Sequence, residues 1–226
     1  MRCPGALAIV YSLLLTCALS ACGGASSNGV ASKSANGIVT AAEAAIDGAQ
    51  SAHISGSVTS AGTLVSVNLD LVSGRGGRGE MSQGGLGFQI EIIGNEVYIN
   101  ASRAFWRRYG NARAAQLLPG KWLKAPASGQ FASLAQVGDL HALLGALLAN
   151  HGTLVKRGTS TVDGQSAVAV HDTTKNATLY VATTGKPYPI EILESGAQTG
   201  RLTLNHFNEA IALTAPPDAI GVSSVK

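Results

Sequence analysis

Charged residues are scarce in this chain. Asp, Glu, Lys and Arg make up 13% of its 226 residues, about half of the roughly 25% that is usual in soluble domains. The formal net charge is +3 at pH 7, which is too small and too widely spread to indicate a nucleic-acid-binding protein. Because 46% of the residues are apolar, the composition also excludes a disordered acidic or basic tail.

The N-terminal apolar run is too short to span a membrane. Residues 6–19 follow a single charge at Arg2, and a spanning helix needs about 20 apolar residues, so the run has the length of a signal-peptide core. It ends in Leu19-Ser20-Ala21-Cys22, which resembles the bacterial lipobox, a cleavage site that ends in cysteine. The resemblance implies that Cys22 is lipidated and that the chain is cut before it. The alternative is an ordinary secretory signal with an incidental cysteine.

Cysteine is rare, and cleavage leaves still less of it. Cys3 and Cys17 belong to the signal peptide, so Cys22 is the only cysteine of the mature chain, and no internal disulfide can form. Burial alone must stabilise the fold, which about 190 residues can achieve. We predict a lipoprotein signal peptide at 1–21, a lipidated cysteine with a flexible tether at 22–35, and one domain at 36–226. The protein is then anchored in the cell membrane through Cys22, on its extracytoplasmic face.

The periodicity of the apolar residues predicts an α+β fold. Residues 36–50, 101–110 and 132–150 have helical spacing. Apolar residues alternate with polar ones in seven other segments, which predicts strands at 63–71, 86–92, 96–100, 165–171, 178–182, 189–193 and 201–207. Short strands at this spacing, with the helices gathered between two groups of them, favour a curved antiparallel sheet with one buried face.

Six segments, taken in order, resemble a known family. They are QSAH at 50–53, GKWLK at 120–124, GTSTVDGQ at 158–165, ATLYV at 177–181, TGKPYP at 184–189 and ALTAPP at 212–217. Together with the lipobox they are similar to the LppX/LprA/LprF/LprG family of mycobacterial cell-envelope lipoproteins. The resemblance implies a fold related to the periplasmic carrier LolA, in which helices cover the concave face of a half-barrel sheet that holds acyl chains. It implies a lipid or glycolipid ligand, and it leaves open an envelope transporter as a partner.

Motifs of catalysis are missing from the sequence. It has no nucleophile elbow, no His-Glu-x-x-His, no P-loop and no dinucleotide fingerprint. The five histidines lack metal-ligand spacing. We therefore predict a protein that is not an enzyme, needs no cofactor or metal, and does not bind nucleic acid. The Arg- and Gly-rich residues 74–79 are interpreted as a hairpin loop. We expect a monomer.

A cluster of arginines and aromatic residues suggests a membrane-facing entrance. Arg103, Phe105, Trp106, Arg107 and Arg108 lie in the segment predicted as a helix at 101–110. Such a helix could lie on anionic head groups or frame a lipid entrance. The alternative is an aromatic stripe that faces the core, with a solvated basic back.

The alternating apolar residues are the candidate walls of a lipid pocket. From the strands these are Val65, Val67, Leu69, Phe88, Ile90, Ile92, Val97, Ile99, Val168, Val170, Leu179 and Val181, and from the helical cover Leu143, Leu144 and Leu147. The same residues could equally pack a solid core, because both interiors require the same alternation. Two functions therefore stay open: a carrier that shelters acyl chains across the cell envelope, and a structural or interaction lipoprotein with no lipid cargo.

Overall fold

A long, open sheet dominates the structure, a computed structural model that describes residues 26–196 and 199–225. Its strands are β1 Ser51–Ser60, β2 Thr63–Val72, β3 Gly76–Gln83, β4 Leu86–Ile93, β5 Glu96–Ala101, β6 Trp122–Pro126, β7 Leu154–Val162, β8 Gln165–Asp172, β9 Ala177–Ala182, β10 Pro189–Glu194, β11 Gly200–Asn205 and β12 Ile220–Gly221. The helices are α1 Ala35–Asp47, α2 Arg103–Tyr109, α3 Ala112–Leu117, α4 Ala132–Val137 and α5 Leu140–Ala149.

The sheet has the order β12-β6-β5-β4-β3-β2-β1-β11-β10-β9-β8-β7. Neighbouring strands are antiparallel, apart from the short parallel pair of β12 and β6. Strands β12 and β7 form the two edges and do not pair with each other, so the sheet stays open. The helices cover its concave face. The predicted α+β class with a curved half-barrel sheet is thus confirmed.

The alternation of side chains separates the two faces of the sheet. In β4, Phe88, Ile90 and Ile92 point toward the helices, while Gln89 and Glu91 point to the convex side. The convex side is polar over β1–β6 and is crossed by residues 206–219, whose Thr214 N–H donates to Glu91 at 2.9 Å. One sheet face is therefore apolar and covered by helices, as expected of an antiparallel sheet with a single core.

All seven predicted strands are present, with bounds that differ by at most two residues at each end. Helix α1 and helix α2 also occupy the predicted segments. The helical segment predicted at 132–150 is divided into α4 and α5, bent by 76° relative to each other when α4 is taken with the preceding turn from Gly129. Asp139 caps the N-terminus of α5, so a new helix begins after it. Its carboxylate accepts from the N–H groups of His141 and Ala142 at 3.1 and 3.0 Å.

No single helix within the described residues is long and apolar enough to cross a membrane. The segments Gly129–Val137 and Leu140–Ala149 would reach that length and composition only together, across their bend.

The hairpin loop predicted at 74–79 is wrong in extent. The turn occupies only residues 73–75, and β3 begins at Gly76 and pairs with both β2 and β4. Glycine disguises this strand because it has a low strand propensity. Here it is required: at Gly79 φ is +149°, and a Cβ would collide with the carbonyl of Asn68 on β2. The glycines let the sheet curve where backbones approach closely.

Residues 27–33, part of the segment predicted as a flexible tether at 22–35, are held against the domain. Ser27 forms a β-bridge with Thr184, the backbone around Val30 makes a 3-10 turn, and the Val30 side chain is buried in the core. The Nζ of Lys156 donates to the carbonyls of Ala31 and Lys33 at 3.2 and 3.0 Å. Small polar residues predicted flexibility here, but these hydrogen bonds and the burial of Val30 fix the segment to β7–β9.

Replacing Gly79 with alanine should destabilise the fold by about 3 kcal/mol, because the new methyl group must displace the backbone of β2. Gly85→Ala is the matched control: its φ is also positive, at +80°, but a Cβ there meets nothing within 4 Å, so the loss should be about 1 kcal/mol. Urea unfolding of both variants measures the difference, and equal losses would contradict the collision.

Candidate functional site: a cavity beneath helix α5

The core is solid on one half of the sheet. Strands β2–β6 pack against α2, α3 and α4, and the concave side chains Leu69, Ile90, Ile92, Val97 and Ile99 are each at most 4% exposed. Gly138, just after α4, lies so close to Ile92 that a Cβ would sit 2.7 Å from its Cδ1. This half of the interior has no room for a ligand.

The other half contains a cavity of about 840 Å³. It lies between the sheet and the C-terminal half of α5, with Val39 of α1 at one side. Its apolar lining consists of Val39, Val58, Ala146, Leu147, Leu148, Leu154, Val170, Ala177, Leu179, Ile192 and Leu202. Cavities that hold small ligands have volumes of about 300–1,000 Å³, so the space is of the size of a ligand site.

The register of five strands explains why this space is left open. Val170, Leu179, Ile192, Leu202 and Gly56 are neighbours in a row across β8, β9, β10, β11 and β1. The row contains aliphatic side chains and ends in a glycine, so nothing in it is long enough to fill the space beneath α5. Gly56 is required by its backbone, because φ is +137° and a Cβ would collide with the carbonyl of Arg201.

Three loops form the rim of the cavity and are tied together. They are 150–153 between α5 and β7, 173–176 between β8 and β9, and 195–196 after β10. The side chain of Lys175 donates to the Asn150 carbonyl at 2.6 Å. Asn176 donates through Nδ2 to the Ser195 carbonyl at 3.0 Å and accepts from the Ser195 N–H at 3.0 Å. The mouth of the cavity therefore has a hydrogen-bonded frame.

Asp172 is the centre of this frame. Its carboxylate accepts from the N–H groups of Gly152, Thr174 and Lys175 at 2.8, 2.8 and 3.1 Å, and the residue is 5% exposed. Burial acts to raise its pKa, but the three backbone N–H donors and the nearby Lys175 charge outweigh burial and lower the pKa below its ordinary value of 3.8. Asp172 is thus a structural anion that is held in its charged form.

Only some of the residues predicted to line a lipid pocket lie at the cavity. Leu147, Val170 and Leu179 line it. The other predicted residues do not: Leu69, Ile90, Ile92, Val97, Ile99, Leu144, Val168 and Val181 are buried in the packed core, and Val65, Val67, Phe88 and Leu143 are half-buried. Sequence reasoning did not include Val39, Val58, Leu148, Leu154, Ile192 and Leu202. Ile192 and Leu202 stood in predicted strands with the correct alternation, so only the register could have selected them.

The aromatic residues of α2 face the core, which is the alternative arrangement considered for this helix. Phe105 and Trp106 are 6% and 4% exposed, and the ring centroids of Phe105 and Phe88 are 4.9 Å apart. Arg103, Arg107 and Arg108 are exposed on the opposite side. Helix α2 packs against β4, and none of its residues lines the cavity.

Polar groups also gather on the convex face. The Nδ1 of His53 lies 2.8 Å from Oδ1 of Asp70, and the Nε of Arg78 lies 3.4 Å from Oδ2 of the same carboxylate. These residues line a shallow groove of about 340 Å³ with Trp122. Within the described residues, no three His, Cys, Asp or Glu side chains are grouped as a metal site.

Glu191 is a buried carboxylate outside the cavity. It is 2% exposed on the convex side of β10. Burial raises its pKa, Arg201 acts in the opposite direction with its Nε 3.5 Å from Oε2, and Asp163 adds to the increase. It lies in none of the grooves described above and is explained by its ion pair with Arg201.

The described fold is an open half-barrel sheet with a helical cover, and solved structures of mycobacterial lipoproteins have a similar fold. The structure is similar to that of LprF from Mycobacterium bovis, with a TM-score of 0.58 and 14% identity over 85% of this chain and 99% of LprF. It is also similar to LppX, a lipoprotein of Mycobacterium tuberculosis, with a TM-score of 0.50 and 15% identity over 80% of this chain and 98% of LppX. The sequence matches no family profile and no curated protein. The resemblance inferred from the sequence is confirmed at the level of the fold.

Replacing Asp172 with asparagine should destabilise the protein by about 2 kcal/mol, because the amide nitrogen would face an N–H donor and the charge-assisted hydrogen bonds would be lost. Since folding lowers the pKa of Asp172, its contribution is complete above about pH 4 and is lost as the pH falls through the lowered value. Between pH 5 and pH 2, the free energy of unfolding should therefore fall less in the variant than in the wild type. The difference should be about the contribution of one carboxylate.

Urea unfolding across this pH range measures both effects. Asp47→Asn, at the exposed end of α1, is the control and should change stability by no more than about 0.5 kcal/mol. If the free energy of unfolding falls equally with acid pH in the wild type and in Asp172→Asn, the role assigned to this carboxylate is contradicted.

Proposed function

We propose that this protein is a membrane-anchored extracytoplasmic lipoprotein that binds the acyl chains of an envelope lipid or glycolipid and helps to carry that lipid across the cell envelope. The observation that carries the proposal is the cavity of about 840 Å³, which has aliphatic walls and a polar rim. Such a site suits a flexible hydrocarbon chain, because its eleven apolar lining residues can bury methylene groups while its polar groups stand mainly at the rim.

The energetics of burial support an acyl ligand. Each buried methylene contributes about 0.8 kcal/mol, so a dozen would supply about 10 kcal/mol before the costs of association and of ordering the chain. The fold shared with LprF and LppX supports the same class of function, since LppX is a lipoprotein. Binding of this kind requires no catalytic group, and we propose that the protein is not an enzyme and acts as a monomer.

The alternative is a structural or interaction lipoprotein without lipid cargo. The packed core beneath α2, α3 and α4 is compatible with it, but the space beneath α5 has no purpose in that scheme. If the alternative holds, protein purified from cells will carry no lipid, and crosslinking in cells will capture a protein partner through the exposed loops.

Mass spectrometry of the protein under native conditions tests the proposal. The mature chain, purified from a host with lipids of the cell envelope, should carry a lipid adduct that denaturation releases. Leu179→Trp should reduce that adduct severalfold, because the indole occupies the cavity, while the stability of the fold changes by less than about 1.5 kcal/mol. Protein that is free of lipid under all conditions of expression would contradict the proposal.

Val168→Phe is the matched control on the neighbouring strand. Val168 is 1% exposed in the packed core, so the larger side chain should destabilise the fold by about 1–3 kcal/mol through overpacking. It should leave the lipid content of the folded fraction unchanged. The opposite pattern, with Leu179→Trp unstable and Val168→Phe tolerated, would mean that the hollow and filled regions are reversed.

Anchoring at Cys22, which lies outside the described residues, is part of the same proposal. Cys22→Ala should yield a chain without acyl groups that keeps residues 1–21, because the diacyl group can no longer be attached and the lipobox resemblance implies that cleavage follows lipidation. Fractionation with mass spectrometry of the N-terminal peptide measures this. A wild-type N-terminal peptide without acyl groups, or a Cys22→Ala chain that is still cut before residue 22, would contradict lipidation.

A further inference from the structure

The N-terminal segment is fixed to one end of the sheet, at the turn between β9 and β10. The side chain of Asn28 donates to the carbonyls of Ala182 and Gly185 at 3.0 and 3.1 Å, and its backbone N–H donates to the Thr183 carbonyl at 2.8 Å. Ser27 forms a β-bridge with Thr184. The chain is therefore held against the domain from Ser27 onward.

The mouth of the cavity lies at the opposite end of the same strand. Its rim includes Lys175, which precedes β9, whereas Thr184 follows β9. From Ala177, the first residue of β9, to Thr184 there are seven residue steps, which span about 23 Å at the usual strand rise of about 3.3 Å per residue. Other rim residues lie at the same end of the sheet as Lys175. Thr59 is near the end of β1 and Ser195 follows the end of β10, and both ends are away from the β9–β10 turn.

The chain between the proposed anchor and this attachment point is short. Cys22 and Ser27 are five residues apart, and five residues span at most about 18 Å even when fully extended. If the mouth faced the bilayer end-on, Ser27 would lie about 23 Å above it, which is beyond the reach of about 18 Å of the five residues. If the β9–β10 turn faces the bilayer, the anchor reaches it easily.

We infer that the anchored domain stands with its β9–β10 turn toward the bilayer that holds Cys22 and with the cavity mouth pointing away from it. This orientation rests on the proposed lipid anchor at Cys22. Its consequence for the proposed function is that a lipid enters or leaves the cavity by exchange with a surface or carrier on the far side. Direct exchange with the anchoring bilayer would require a longer tether.

Single cysteine variants test the orientation directly. Because acylated Cys22 is the only cysteine of the mature chain, an introduced cysteine is the only free thiol. Lys186→Cys, at the β9–β10 turn, and Ala61→Cys, in the turn between β1 and β2 at the mouth end, are both exposed. Each purified lipoprotein is labelled with a fluorophore and reconstituted into phosphatidylglycerol–phosphatidylethanolamine vesicles that contain a lipid with a nitroxide on its head group.

The label at residue 186 should be quenched severalfold more than the label at residue 61. Equal quenching of the two labels, or stronger quenching at residue 61, would overturn the orientation. Inserting about 20 Gly and Ser residues before Ser26 is the control, since a flexible tether of that length reaches past the domain. Quenching at residue 61 should then increase, while the quenching difference should persist in Leu179→Trp, whose tether is unchanged.

The outcome is separable from that of the lipid-binding proposal. Failure of lipid adducts to form, with the quenching difference retained, would contradict the cavity's function and leave the orientation intact. A chain that does not float with the vesicles would overturn the anchor at Cys22, and the orientation with it. Adducts that form in a chain with equal quenching would support lipid binding and overturn the orientation.

Discussion

The concave face of the sheet is larger than the helices that cover it, and the rest of the structure depends on this mismatch. Twelve strands in the described part of the chain form one continuous open sheet, but the longest of the five helices has 13 residues and the others have ten or fewer. Helices α2, α3 and α4 fill the space over β2–β6. Over β8–β11 the cover is one face of α1 and the C-terminal half of α5, where Ala146, Leu147 and Leu148 line the cavity. The aliphatic side chains of the sheet are too short to fill the space that remains between sheet and helices, and this unfilled space is the cavity.

A cavity removes packing contacts from its walls, so the surrounding segments need other interactions to stay in position. The rim supplies them as hydrogen bonds. Asp172 binds three backbone N–H groups from two loops, and Asn176 joins the third loop through Ser195. On the opposite end of the same strands, Asn28 fixes the N-terminal segment. The hollow half is therefore stabilised by polar ties at both ends, whereas the filled half is stabilised by close packing of apolar side chains.

The sequence predicted seven of the twelve described strands, and it predicted the site only in part. Period-two alternation identified strands because it marks which side chains face the core, and this needs no knowledge of the partner strand. The same pattern could not distinguish residues that line the cavity from residues of the packed core. Val168 and Val170 are two residues apart in β8 and share a face, yet Val168 is packed and Val170 lines the cavity. Their difference comes from the position of α5 above them. Strand β3 was missed because its glycines follow from close backbone contacts with β2 and β4, which exist only in the assembled sheet.

The rim also limits what part of a ligand the proposed site can recognise. Three of its polar side chains are already used inside the protein: Asp172 by the backbone, Lys175 by the Asn150 carbonyl, and Asn176 by Ser195. A polar head group at the mouth would have to compete with these bonds or interact with the few groups that remain. The aliphatic wall, in contrast, adds stabilisation with each methylene that it buries. Under the proposed function, selectivity therefore rests on how much hydrocarbon fits beneath α5, and the head group of the proposed ligand is left at the mouth of the cavity.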